Sequence, residues 1–275
     1  VSSEYSPSHR PVHRSAYRNI MTTAFYSHPD CLLHEMGALH PESPARLQAI
    51  SDHLIATRLI DCLDCRDAPL ASIEDLSRVH TQELIQSIQQ HRPLPNDSGS
   101  AKGGPYYSID ADTSLNPYTW QAALRAAGAA IAATDAVITG DVRNAFCAIR
   151  PPGHHATPSK SMGFCLFNNV AIAVRHAIDV HGMQRVAIVD FDVHHGNGTQ
   201  DAFWDDGQVG FLSIHRYPFY PGSGAADETG AGKGLGLTLN LPIKFGTSRE
   251  DYLSAFRSKL EKFADHVKPE LVLLS

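Results

Sequence analysis

The sequence predicts an α/β domain built on a single, mostly parallel sheet with helices on both faces. Strand-like apolar runs alternate with longer amphipathic stretches along the chain, which is the pattern of repeated strand and helix units. Two of the runs, 144–149 and 185–191, pass directly into clusters of histidine and aspartate. Such clusters are expected where parallel strands deliver side chains to the carboxyl edge of an open sheet.

Taken in order, residues 22–26 read as a short strand and 44–58 as a helix, with Leu47, Ile50, Leu54 and Ile55 at helical spacing. Residues 72–79 and 81–90 read as two shorter helices. The stretch 91–108 is rich in Pro, Gly and Ser and reads as a long loop. Asp112 follows it directly, so the loop is assigned to the lining of a site. An Ala-rich helix covers 117–139. Then come strand 144–149, helix 166–181, strand 185–191, helix 199–205, strands 208–214 and 235–241, helix 248–266, and an apolar strand pattern at 270–275. There is no internal repeat. A chain of 275 residues with 43% hydrophobic content can bury one sizeable core, so 21–275 is taken as one domain. Residues 1–20, rich in Ser, Arg and Pro, read as a flexible extension before a natural start near Met21.

The net charge of −6 disfavours binding along a phosphate backbone, since nucleic-acid binders gather Lys and Arg into basic faces. The chain has no secretory apolar region and no apolar run near the ~18 residues of a membrane span. The expected setting is therefore the cytoplasm. The five cysteines are odd in number, and Cys62-Leu63-Asp64-Cys65 has no second CxxC to complete a zinc site. It reads as an incidental pair. The 16 histidines are the compositional outlier.

Asp190-Phe191-Asp192-Val193-His194 is the most informative cluster. Side chains alternate along a strand, so Asp190, Asp192 and His194 are expected on one side and Phe191 and Val193 on the other. Asp192 and His194 are thereby offered as a pair of metal ligands. Gly196-Asn197-Gly198-Thr199 then supplies a tight turn and a helix N-cap. A competing reading, in which the acids only cap the next helix, needs one carboxylate and not two in register with a histidine. The second cluster is Arg150-Pro151-Pro152-Gly153-His154-His155-Ala156, where two prolines and a glycine fix the backbone. Adjacent histidines diverge in most backbone conformations, so one can meet a substrate while each takes its own partner. Histidine pairs in loops are commonly surface features; the coincidence with an Asp-x-His on another strand end points to a site.

The blocks Pro151-Pro152-Gly153-His154-His155-Ala156, Gly163-Phe164-Cys165-Leu166-Phe167-Asn168-Asn169 and Asp190 to Thr199 resemble the signatures of the histone deacetylase and acetylpolyamine amidohydrolase family. Ser213-Ile214-His215 with Pro221-Gly222-Ser223-Gly224, and His40-Pro41-Glu42 with Pro44 and Arg46, add two blocks in the same order. The Pro-Pro-Gly-His-His and Gly-Asn-Gly versions are similar to class II and bacterial members. The resemblance implies the arginase/deacetylase fold and zinc-dependent hydrolysis of an acetyl amide, on a protein lysine or a polyamine. It implies Asp192 and His194 as zinc ligands and His155 as general base and then acid. His154 would be its electrostatic partner, with Asp190 holding His154 and Asn197 holding His155. An Asn facing His155 is expected to bring that ring close to the basicity needed at neutral pH. Gly163, Phe164 and Tyr220 would form a narrow tube and Asp112 a rim carboxylate. A potassium ion is expected among the Asp190 side chain, the main-chain oxygens of Asp192 and His194, and Ser213 and Ile214.

The family's third zinc ligand, an aspartate, and a tyrosine that stabilises the tetrahedral intermediate follow the strand pattern that here runs to Ser275. The sequence therefore reads as the amino-terminal part of a family member. Asp227 and Glu228 are the substitutes within reach of the sequence. Two other readings stay open: a metal-independent module that binds acylated lysine, and an arginase-like binuclear hydrolase, which Gly196 disfavours by occupying the position of a further carboxylate.

Overall fold

A computed structural model describes residues 22–37, 39–94 and 106–275. The expected extension at 1–20 and most of the 91–108 loop lie outside the described residues. The chain opens with β1 (Thr23–Ser27), α1 (Asp30–Leu33), α2 (Ala45–Ala56) and β2 (Leu63–Asp67). Two short helices follow, α3 (Ile73–Ser77) and α4 (Gln82–His91), capped by the Ser72 and Thr81 hydroxyls. A small hairpin, β3 (Tyr107–Ser108) and β4 (Ser114–Leu115), precedes the long helix α5 (Thr119–Ile138). The remainder is β5 (Asn144–Cys147), α6 (Asn169–Asp179), β6 (Val186–Asp190), α7 (Asn197–Ala202), β7 (Val209–Arg216), β8 (Thr238–Ile243), α8 (Arg249–Val267) and β9 (Leu271–Leu274).

The α/β class holds, with one refinement. The parallel strands fall into two hydrogen-bonded groups, in the orders β2-β1-β5 and β8-β7-β6-β9, where the sequence suggested one sheet. β9 pairs with β6 on one side only among the described residues, and Val272 and Leu274 on it are exposed. The sequence missed β2, which begins just after Cys62 and includes Cys65 of the CxxC. Leu63–Asp67 is a half-exposed edge strand, and its Arg66 is paired with Asp64 and Asp141. Charged edge residues of this kind suppress pairing with other chains and also mask the strand signal. Cys62 and Cys65 are free thiols, as are the other three cysteines.

β6 and β7 form the centre of the larger group. Every residue of β6 is buried, as expected for a parallel strand covered on both faces. On one face Val186, Ile188 and Phe211 pack against Val170, Ala171 and Val174 of α6; on the other Ala187, Val189, Leu212 and Ile214 pack against Phe263 and Val267 of α8. Each large side chain buried in this way contributes about 1.5–3 kcal/mol. The result is a rigid frame that ends at Asp190.

Candidate active site

Asp190 is the last residue of β6, and the chain beyond it does not continue as a strand. Asp190 Oδ1 accepts the Asp192 amide at 3.1 Å, and Asp192 Oδ1 accepts the His194 amide at 2.7 Å. Two successive side-chain turns of this type curl the backbone. The expectation of three side chains on one strand face is thus corrected. Asp190 is fully buried, whereas Asp192 is exposed and His194 partly exposed. The same turns bring Asp192 Oδ1 within 3.1 Å of His194 Nδ1.

His154 and His155 follow β5 and lie side by side, with ring centroids 4.0 Å apart. Their partners differ as the resemblance implies. His154 Nδ1 is 2.8 Å from Asp190 Oδ2, and a carboxylate only accepts, so the Nδ1 proton is fixed. Burial lowers the His154 pKa, but the Asp190 charge and hydrogen bond, with Asp192 beyond, outweigh it and raise the value. Burial likewise pushes Asp190 up, and the His154 partner brings it below its ordinary range. Both shifts favour imidazolium and carboxylate in this pair. His155 Nδ1 is 2.8 Å from Asn197 Oδ1, which leaves the Nε2 lone pair free. Burial and the neighbouring His154 charge lower the His155 pKa to about 3, and the Asn197 hydrogen bond offsets this only in part. That is lower than the near-neutral value expected from the sequence. The ring is neutral and accepting at pH 7.

Gly196, within the turn to which the sequence assigned a helix N-cap, occupies the N-cap of α7 without a side-chain bond. The Asn197 side chain is committed to His155.

The walls of the expected tube stand around this pair. The Tyr220 ring is edge-on to His155 at 5.1 Å and to His194 at 5.9 Å, and Phe219 stacks on His194 at 5.2 Å. A side chain at Gly163 would meet the His155 ring and the Tyr220 hydroxyl, so only glycine fits there. Phe164 has φ of 68°, the left-handed region that a bulky residue avoids. It is held by Thr113 Oγ1, which accepts the Phe164 amide at 3.1 Å, and by the His40 ring at 4.5 Å. His40 Nε2 in turn donates to the Asp112 carbonyl at 2.9 Å. The rim loop and the tube wall are one unit. Burial, then the charges of Asp112 and Asp110, raise the Tyr220 pKa to about 12, so the rim is acidic.

Several supporting residues carried no sequence signal of their role. Arg150 is fully buried and holds Glu42 through Nε–Oε1 and Nη2–Oε2, both 2.5 Å, and donates to the Cys31 carbonyl at 2.8 Å. Bidentate pairing of this kind fixes the backbone just before Pro151. His195 bonds Ser223 and Gln200, and Gln200 bonds Glu228. Glu228 accepts the amides of Gly224 and Ala225. This network anchors the loop that carries Tyr220. The only hint in the sequence was that these polar residues flank the Gly-rich turn.

The donor set of Asp192 and His194, a hard carboxylate and an imidazole nitrogen, suits zinc. Among the described residues no third His, Cys, Asp or Glu atom converges on this pair to complete a three-ligand cluster. Glu228, considered as a substitute, is committed to backbone amides, and among the described residues Asp227 forms no ligand cluster with the pair. For an oxygen-lined cation site, Ser213 is the register partner of Asp190 and both are fully buried. His215 Nε2 donates to the Gly224 carbonyl at 2.9 Å, so its Nδ1 accepts from the Ser213 hydroxyl. The Ser213 oxygen lone pairs are thereby left free.

A family profile described as a histone deacetylase domain matches residues 40–275. A probable deacetylase of Archaeoglobus fulgidus is 38% identical over 257 residues, covering 93% of this chain and 68% of the archaeal protein. The polyamine deacetylase HDAC10 of Rattus norvegicus is 41% identical over 266 residues, covering 93% of this chain and 44% of the rat protein. The chain thus spans from about two thirds to less than half of the length of these relatives. The crystal structure of the HDA15 HD domain superposes with a TM-score of 0.84 at 35% identity, covering 93% of this chain and 71% of that one.

Proposed function

The chain belongs to the histone deacetylase family, and we propose that it carries the active centre of an amidohydrolase that converts an acetylated amine to acetate and the free amine. One observation carries this reading: Asn197 Oδ1 holds the His155 Nδ1–H at 2.8 Å, which leaves Nε2 free on a ring 5.9 Å from that of His194. Asp192 and His194 would hold zinc, which supplies Lewis acidity for the acetyl carbonyl and for water. His155 Nε2 takes the water proton as the new C–O bond forms, then delivers it to the nitrogen as the C–N bond breaks. His154, whose cationic form Asp190 favours, stabilises the negative charge that develops beside it. Gly163, Phe164 and Tyr220 confine an extended acyl-amine chain and exclude water, while Asp112 grips the substrate at the rim. The acidic rim formed with Asp110 favours a substrate that is cationic beyond its acetyl group, either a lysine-rich protein segment or a polyamine. Asp190, the main-chain oxygens of Asp192 and His194, and Ser213 and Ile214 would hold a potassium ion, for which hard oxygen donors suit. The free thiols suit a reducing compartment such as the cytoplasm.

Replacing His155 with Ala in the enzyme should lower acetate release by at least about a hundredfold, with the unfolding temperature little changed. The assay compares an acetyl-lysine peptide with an acetylated diamine, which also identifies the substrate class. Near-normal turnover of both would remove His155 from the mechanism.

A further inference from the structure

A cluster of ligating side chains lies at the other end of α6, away from the catalytic loop. Asp135, near the end of α5, receives both His176 and His181 on a single oxygen: His176 Nε2 is 2.7 Å and His181 Nε2 2.6 Å from Asp135 Oδ1. The two rings are 5.5 Å apart. All three ligand atoms lie within 4.8 Å of one another. His176 sits on the last turns of α6, about 12 Å along the helix from Asn168 at ~1.5 Å per residue, and His181 just beyond its end. We propose that Asp135, His176 and His181 form a metal site separate from the active centre, taking a zinc-class divalent ion and fastening α5 to α6.

The donor chemistry supports this. Two imidazole nitrogens and one carboxylate oxygen are the ligand set of three-residue zinc sites, with a fourth position left for water. Zn–N and Zn–O bonds near 2.0–2.1 Å place tetrahedral ligands about 3.3 Å apart. Each Nε2 therefore needs to retreat from Asp135 by only about 0.7 Å, a side-chain adjustment. His181 and Asp135 are partly exposed, so an ion has a path in from solvent. His176 is buried, and its Nδ1 has no hydrogen-bond partner among the described residues. Nδ1 is unsatisfied in either tautomer, so moving the proton from Nε2 to Nδ1 gives up no hydrogen bond at that atom. The ring can change from donor to ligand at little cost. Softer Cys ligands are absent from the set, which favours Zn, Ni or Co over Cu(I).

The test is zinc content per folded chain after equilibration at micromolar free zinc, for the parent, His181→Ala and Asp135→Asn. His181 lies outside the helix and Asp135→Asn preserves shape, so both variants should fold. Each should hold about one zinc equivalent less than the parent. The parent's unfolding temperature should rise on zinc addition by about 5 °C more than that of either variant when zinc is about a hundredfold above its dissociation constant. Equal zinc content in all three proteins overturns the proposal. So does a loss of stability in the variants that is the same in EDTA as in zinc, which would mark a purely hydrogen-bonded cluster. His194→Ala reports on the active-centre pair alone, so failure of that reading is distinguishable.

Discussion

Gly198 stands where α7 crosses the loop that carries His154 and His155, and its replacement by Ala should damage catalysis more than stability. An added Cβ would lie 2.2 Å from the Ala156 carbonyl oxygen, 2.4 Å from the Ala156 carbonyl carbon and 2.6 Å from that of His155. All three are backbone atoms, so no flexible side chain can give way. Ordinary contact begins near 3.4 Å, and relief therefore requires the two segments to part by about 1 Å. Asn197, one residue earlier, holds His155 at 2.8 Å, and the Thr199 amide donates to the His154 carbonyl at 3.1 Å. Neither bond survives such a displacement with useful geometry. Overpacking of this kind costs about 1–3 kcal/mol, and a misplacement of about 1 Å in a catalytic group costs on the order of a hundredfold in rate. Gly140→Ala is the control: its φ of 72° strains an added side chain, but nothing lies within 4 Å of it. It should lose about 1–2 kcal/mol through left-handed backbone strain and keep its turnover. Urea denaturation and kcat for acetate release are measured on both variants. Gly198→Ala with kcat within twofold of the parent would refute the claim that this contact sets the position of His155.

Glu42→Gln leaves Arg150 buried without its charge partner, and urea denaturation should show a loss of about 3 kcal/mol, the lower end for breaking a buried pair. His80 accepts the Asn168 amide through Nε2 at 2.8 Å and donates through Nδ1 to the Thr157 carbonyl at 3.1 Å, and burial lowers its pKa from 6.5 to about 4. Below pH 6.5 the unfolded chain takes up a proton that the folded one refuses, so this contribution is complete above pH 6.5 and is lost as pH falls toward 4. The full shift is worth about 3 kcal/mol, of which about 2 kcal/mol falls between about pH 7 and 4.5; His80→Gln should show a stability difference over that interval smaller by about the latter amount, and an unchanged slope would refute the assignment. A crystal structure determined in potassium should show an ion bounded by Asp190 and Ser213, and only a water with long contacts there would count against that site.

The local chemistry of the centre was legible because it is written in short segments. Proline and glycine before His154, and the Asp-x-Asp-x-His run after an apolar strand, constrain backbone and side chains within a few residues. The partners of His154 and His155, Asp190 and Asn197, lie 36 and 42 positions away, and it was the family resemblance, not a local pattern, that implied them. The strand face expected for Asp192 and His194 was misread, because alternation holds only while the chain stays extended, and the two aspartates take up the next amides and curl it. The edge strand β2 was missed because its charged residues carry no periodic apolar signal.

The sequence by itself determined the alternation of strands and helices, the buried central strand, and which residue types stand at the strand ends. Those properties follow from hydrophobic period and turn chemistry, which act over a few residues. Only the tertiary structure decided that the strands pair in two groups, and that Glu42 meets Arg150 across 108 positions. It also decided that Glu228 serves a loop and not a metal, and that Asp135 faces two histidines more than forty positions away. Contacts at such separations depend on how whole layers pack, and no local pattern in the chain encodes which distant polar group will satisfy a buried one.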